Sequence, residues 1–106
     1  MKITVVGGNS GTGAQVVRIA AEAGHEVTSL SRRGGEVPDG VRSLVGDALD
    51  ADVTRRAVAG ADAVVVTVGG SSGTDRHRTA VTRSVIAAMG DAGVRRLVVH
   101  SSLGVG

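Results

Sequence analysis

The sequence predicts an α/β fold in one domain of 106 residues: an open parallel sheet of about five strands in the order 3-2-1-4-5, with helices on both faces. Two observations predict it. Short runs rich in Val, Leu and Ile recur along the chain and alternate with segments whose apolar residues fall at helical spacing. The first of these runs breaks into glycines, passes through a helical segment and reaches the second run within about thirty residues, the length of a β-α-β unit.

Ile3 to Val6 is a continuous β-branched run of the kind buried on both faces of a parallel sheet, and it ends at Gly7-Gly8-Asn9-Ser10-Gly11-Thr12-Gly13. From Ala14 to Ala23, Val16, Val17, Ala20, Ala21 and Ala23 give an apolar face at helical spacing, with Gly24 as the stop. Glu26 to Ser31 is the second strand, reached by a right-handed crossover. Arg33 to Gly40 holds glycines and the only proline, so little regular structure is expected there. Val41 to Val45 is the third strand. Asp50 to Ala59 is a short helix with an aspartate at its start and Gly60 as its end. Ala63 to Val68 is the most hydrophobic run and takes the central fourth strand, leaving through Gly69-Gly70-Ser71-Ser72-Gly73. Thr79 to Ala92 carries Val81, Val85, Ile86 and Met89 on one side of a long helix capped by Gly93, and Leu97 to His100 is the fifth strand.

Composition excludes several function classes. With no cysteine there is no disulfide framework, thiolate nucleophile or Cys-ligated metal site, and nothing argues for an oxidising compartment. No segment approaches the roughly 20 apolar residues of a membrane span, and no signal-peptide pattern opens the chain, so a soluble, cytoplasmic protein is expected. Net charge is +2, and Arg32-Arg33, Arg55-Arg56 and Arg95-Arg96 are scattered rather than clustered. Without a basic stripe or any aromatic platform, nucleic acid is a poor partner. His25, His77 and His100 lie far apart with no metal-ligand spacing, so no metal site is expected, and Arg76-His77-Arg78 reads as a solvated helix start. The length suits a single core but is short for a complete nucleotide-dependent enzyme.

A glycine loop between a strand and an amphipathic helix binds phosphate, because backbone N–H groups converge on an anion at the positive end of the helix and no side chains intervene. Gly7, Gly11 and Gly13 give the spacing G-x-x-x-G-x-G in that context, with Asn9, Ser10 and Thr12 between them and Gly13 serving close helix packing more than the ligand. The expected ligand is the pyrophosphate of a nicotinamide dinucleotide. At the end of the second strand, an acid would take the ribose hydroxyls of NAD, whereas a basic residue accommodates the 2′-phosphate of NADP. The chain has Leu30-Ser31-Arg32-Arg33 and no acid there, so NADP(H) is expected over NAD(H), with Arg32 the stronger candidate and a pair of solvated arginines the alternative.

The glycine loop, the arginine, Val45-Gly46-Asp47, the run Ala59-Gly60-Ala61-Asp62-Ala63-Val64-Val65 and Val98-Val99-His100-Ser101-Ser102 together resemble the atypical short-chain dehydrogenase/reductases. Within them the sequence is most similar to the NAD(P)H-binding, NmrA-like group that includes flavin and biliverdin reductases, in its N-terminal part only. The resemblance implies a Rossmann-like fold, with Asp47 and Ala48 beside the adenine; a helix-capping role is the alternative for Asp47. It implies that Val68, Gly69 and Gly70 let the cofactor ribose pass at the end of the fourth strand. It also implies that Ser101 and Ser102 lie near the nicotinamide and substrate. Ser102 matches the group's serine best and is the one catalytic candidate; it orients a substrate group rather than attacking it, since no general base accompanies it.

The chain departs from the group at Asn9-Ser10, where a Thr-Gly pair is usual, and so approaches the wider short-chain dehydrogenase loop. The Tyr-x-x-x-Lys dyad of typical members cannot be formed from a chain without tyrosine whose only lysine is Lys2. The implied activity is therefore NADPH-dependent reduction of a flavin-like conjugated acceptor, in which hydride passes between stacked rings. Two alternatives stand beside it. One is a regulatory protein of NmrA type that senses the dinucleotide without turnover. The other is a module that functions on association, through an exposed edge strand at Leu97-Val98-Val99.

Overall fold

The computed structural model describes residues 1–7, 11–32, 37–67 and 75–99, with the backbone alone for residues 11, 12, 75–79 and 99. In chain order the elements are β1 (Lys2–Val6), α1 (Gly11–Glu22), β2 (Glu26–Ser31), β3 (Arg42–Val45), α2 (Ala51–Val58), β4 (Ala63–Val66), α3 (Asp75–Ala92) and β5 (Arg96–Val99). The strands form one sheet in the order β3-β2-β1-β4-β5, every neighbouring pair parallel, as the alternation of strand and helix predicted. Register pairs Val6 with Leu30 of β2 and with Val66 of β4, so the carboxyl ends of the central strands lie level.

Side chains alternate across the sheet and build a core on each face. On one face Val6, Leu30, Val64 and Val66 pack against Ala57 and Val58 of α2 and Val81, Val85, Ala88 and Met89 of α3. On the other, Val5 and Val27 pack against Val17 and Ala20 of α1, with Ile3 and Val65 partly buried beside them. With no aromatic ring available, these valines carry the burial, each contributing on the order of 1.5–3 kcal/mol when fully buried. Thr4 is buried among them, and its hydroxyl donates to the Ala57 carbonyl at 2.6 Å, tying β1 to the end of α2. Asp50 caps α2 through Oδ1, which accepts from the amides of Asp52 at 3.0 Å and Val53 at 3.4 Å.

Several boundaries differ from the sequence reading. α1 begins at Gly11 rather than Ala14, so Gly11, Thr12 and Gly13 form the first helical turn instead of the loop. α3 begins at Asp75 rather than Thr79, so the backbone of Arg76, His77 and Arg78 lies in its first turn, at the helix start where the sequence reading placed them. β4 closes at Val66 and β5 runs from Arg96 to Val99. Residues 37–40 carry neither helix nor strand, as expected of this stretch, and the Val41 amide closes the turn on the Pro38 carbonyl at 3.1 Å. β3 and β5 are the sheet edges, where Val45 and Val98 are exposed. Among the described residues no helix is long and apolar enough to cross a membrane.

Candidate functional site

Three backbone hydrogen bonds carry the pairing one residue past the strands and set a row of residues along the carboxyl edge of the sheet. The Thr67 amide donates to the Val6 carbonyl at 2.9 Å, the Gly7 amide to the Leu30 carbonyl at 2.8 Å, and the Gly46 amide to the Ser31 carbonyl at 2.9 Å. Thr67, Gly7, Arg32 and Gly46-Asp47 therefore stand side by side at the ends of β4, β1, β2 and β3. Ligands of open α/β sheets bind outside this edge.

At the centre of the row the chain turns out of β1 at Gly7, whose φ of 92° is a conformation that side-chain-bearing residues rarely adopt. α1 then comes down close onto that turn. A Cβ at Gly13 would collide with the Gly7 carbonyl oxygen and would lie 2.6 Å from Thr67 Oγ1, so only glycine permits this seat. Gly13 is buried there and serves helix packing, as the spacing suggested, while the amino end of α1 faces the carboxyl edge of β1. Free N–H groups of a first helical turn beside a glycine turn suit an anion.

Arg32 is exposed immediately after β2, with no acidic residue between Ser31 and Arg33. At the end of β3, Asp47 is exposed and folds its own turn: Oδ1 accepts from the Leu49 amide at 2.8 Å and its carbonyl from the Asp50 amide at 2.9 Å. The capping alternative for Asp47 fails because Asp50, one turn further on, holds the cap of α2. Ala48 is buried, and its carbonyl accepts two side-chain hydroxyls, Thr54 Oγ1 at 2.8 Å and Ser84 Oγ at 2.7 Å. This shared acceptor fixes the β3–α2 turn against both α2 and α3.

The structure thus brings Gly7, Gly13, Arg32, Asp47 and Ala48 to one edge, together with the backbone of Gly11 and Thr12. Asn9, Ser10, Arg33, Val68, Gly69, Gly70, Ser101 and Ser102 lie outside the described residues. Sequence reasoning missed three residues. Thr67 is half-buried, with Oγ1 3.1 Å from the Val6 carbonyl and 3.3 Å from that of Gly7. Its signal was a single hydroxyl in the apolar run 63–68. Thr54 and Ser84 gave the weaker signal of polar residues on helix faces otherwise apolar.

A family model described as NAD(P)H-binding matches residues 7–106. The chain belongs to that NAD(P)H-binding family. Among curated proteins the chain is similar to a 3β-hydroxysteroid dehydrogenase/Δ5→4-isomerase of Mycobacterium tuberculosis, at 34% identity over 95% of this chain and 31% of that protein. The chain therefore spans about a third of the length of that relative.

Among solved structures it superposes on WbmG of Bordetella bronchiseptica, crystallised with NAD, with a TM-score of 0.77 and 22% identity over 93% of this chain and 36% of that one. It also superposes on a wide-type short-chain dehydrogenase/reductase of Veillonella parvula in complex with NADP, with a TM-score of 0.74 and 18% identity over 92% of this chain and 46% of that one. At these identities the two structures establish the shared Rossmann-type fold.

Proposed function

We propose that this domain binds NADPH in preference to NADH, across the carboxyl ends of β1, β2 and β3, and presents it for reduction of a flavin-like conjugated acceptor. The observation that carries the reading is the row itself: a glycine turn under the amino end of α1, with Arg32 rather than an acid at the adjacent strand end. The helix end and Gly7 suit the pyrophosphate, the Arg32 guanidinium suits a 2′-phosphate through two N–H groups, and Asp47 with Ala48 flanks the adenine. Solved neighbours hold NAD in one case and NADP in another, so the preference rests on Arg32 alone. When bound, the nicotinamide supplies the hydride, and the protein supplies position and electrostatics.

A calorimetric titration with NADPH and NADH, repeated on Arg32→Ala, tests the preference. NADPH is expected to bind about tenfold more tightly, a difference of about 1.4 kcal/mol that the variant abolishes. Equal affinities in the wild type would remove the role given to Arg32. The flavin-reductase reading within the NmrA-like group rests on the resemblance carried by the glycine loop, Val45-Gly46-Asp47 and the run 59–65. Flavin-dependent oxidation of NADPH separates that reading from a sensor that binds the dinucleotide without turnover. Association through β5 is a second reading, favoured by Val98, 56% exposed on an edge strand. A sedimentation measurement showing only monomer would dismiss it.

A further inference from the structure

We infer that Thr67 is a positioning residue for the dinucleotide pyrophosphate, acting through the Gly7 carbonyl; the inference rests on the binding reading above. Three elements meet at its hydroxyl. Its amide holds β4 to the end of β1, and Oγ1 lies 3.1 Å from the Val6 carbonyl oxygen and 3.3 Å from that of Gly7. The same oxygen faces the bare Cα of Gly13, where a Cβ would come within 2.6 Å of it. Thr67 therefore fills the corner between the turn out of β1 and the first turn of α1.

The chemistry of that corner gives the hydroxyl its role. Gly7 sits at positive φ without a Cβ, and its amide is held by the Leu30 carbonyl, so the direction of its own carbonyl is set by the contacts which that oxygen makes. A carbonyl oxygen turned toward a bound phosphate would repel it, whereas an N–H would attract it. The Leu30 carbonyl holds Gly7 by its amide, and the Thr67 hydroxyl is the donor that holds it by its carbonyl, beneath the first turn of α1. One proton is shared between two acceptors, so it biases the turn without locking it. Valine in the same place would set a methyl group against both carbonyls and supply no proton. Serine would keep the donor.

The test measures Thr67→Val, Thr67→Ala and Thr67→Ser against wild type with two probes. NADPH carries the pyrophosphate and is followed by its own fluorescence, undisturbed in a protein without aromatic residues. The second probe, 2′-AMP, carries the adenosine and 2′-phosphate but no pyrophosphate and is followed by NMR titration. Melting curves confirm that each variant is folded, and alanine, which adds no methyl at the carbonyls, serves if valine unfolds the corner. The valine and alanine variants are expected to lose about five- to tenfold in NADPH affinity, with 2′-AMP affinity unchanged and serine restoring the wild-type value. Unchanged NADPH affinity, or equal losses for both probes, would overturn the role of Thr67 while leaving the binding site in place. Wild-type protein that binds neither probe would overturn the site reading and this inference together.

Discussion

Replacing Gly13 with alanine adds one methyl group at the point where α1 meets the turn after β1. On an open helical surface that change stabilises, because alanine loses less backbone entropy than glycine and has the higher helix propensity, by about 0.5–1 kcal/mol. At Gly13 the new Cβ would strike the Gly7 carbonyl oxygen and press on Thr67 Oγ1, 2.6 Å away. Neither is the free end of a flexible chain: one is backbone paired into the sheet, the other a side chain anchored to it. Relief requires α1 to lift from β1, an overpacking cost of about 1–3 kcal/mol that the propensity gain only partly offsets. The net expectation is a loss of about 1–2 kcal/mol, or a melting point lowered by about 5–15 °C for a domain of this size. Gly90→Ala is the matched control, since Gly90 is exposed within α3 and a Cβ there meets nothing within 4 Å. It is expected to raise stability by about 0.5–1 kcal/mol. Thermal and urea unfolding followed by circular dichroism give both values. A Gly13→Ala protein as stable as the wild type would refute the close seat and the turn geometry built on it.

Two further predictions concern the turn between β3 and α2. Asp50→Ala removes the cap of α2 and is expected to cost about 1 kcal/mol in urea unfolding, while Asp50→Asn keeps an accepting oxygen and costs a fraction of that. Thr54→Val and Ser84→Ala each take one donor from the Ala48 carbonyl, which the other then still satisfies. Each single loss is expected near 1 kcal/mol, and the double variant should exceed their sum by about 0.5 kcal/mol or more, because a buried carbonyl is then left bare. Strict additivity in that cycle would show that the two hydroxyls do not share the acceptor.

The central strands were legible in the sequence because burial on both faces leaves a plain mark, unbroken apolar runs rich in β-branched residues such as Ile3 to Val6 and Ala63 to Val68, the second of which closes two residues early, at Val66. Their order followed from the alternation with helices, which a parallel sheet requires. The start of α1 was not legible. Gly11 and Gly13 punctuate a chain by local propensity, yet here the missing Cβ is what lets the helix reach the turn, so a tertiary contact overrides a local preference. For α3 the sequence reading took Arg76-His77-Arg78 as a helix start but began the regular helix four residues late, at Thr79, because these three residues offer no apolar face to carry the periodicity back to Asp75. For the site, Arg32 and Asp47 were legible as the residues that follow strands. Thr67 and Ser84 were not, since their partners lie across the fold, Thr67 at sixty positions from Gly7 and Ser84 at thirty-six from Ala48, and Thr54, six positions from Ala48, passed for an ordinary polar helix residue. Such contacts depend on strand register and helix placement, which no local pattern carries.

A dinucleotide lying along the carboxyl edge of the sheet must perturb the backbone amides it touches, and amide chemical shifts of isotope-labelled protein during titration with NADPH report this residue by residue. The amides of Gly7, Gly11, Thr12, Gly13, Arg32 and Asp47 are expected to move together and to saturate at one ligand per chain. Those of Lys2, Glu26 and Asp62, at the opposite edge of the sheet, should stay still. Shifts confined to the opposite edge, or none in a folded protein, would contradict it.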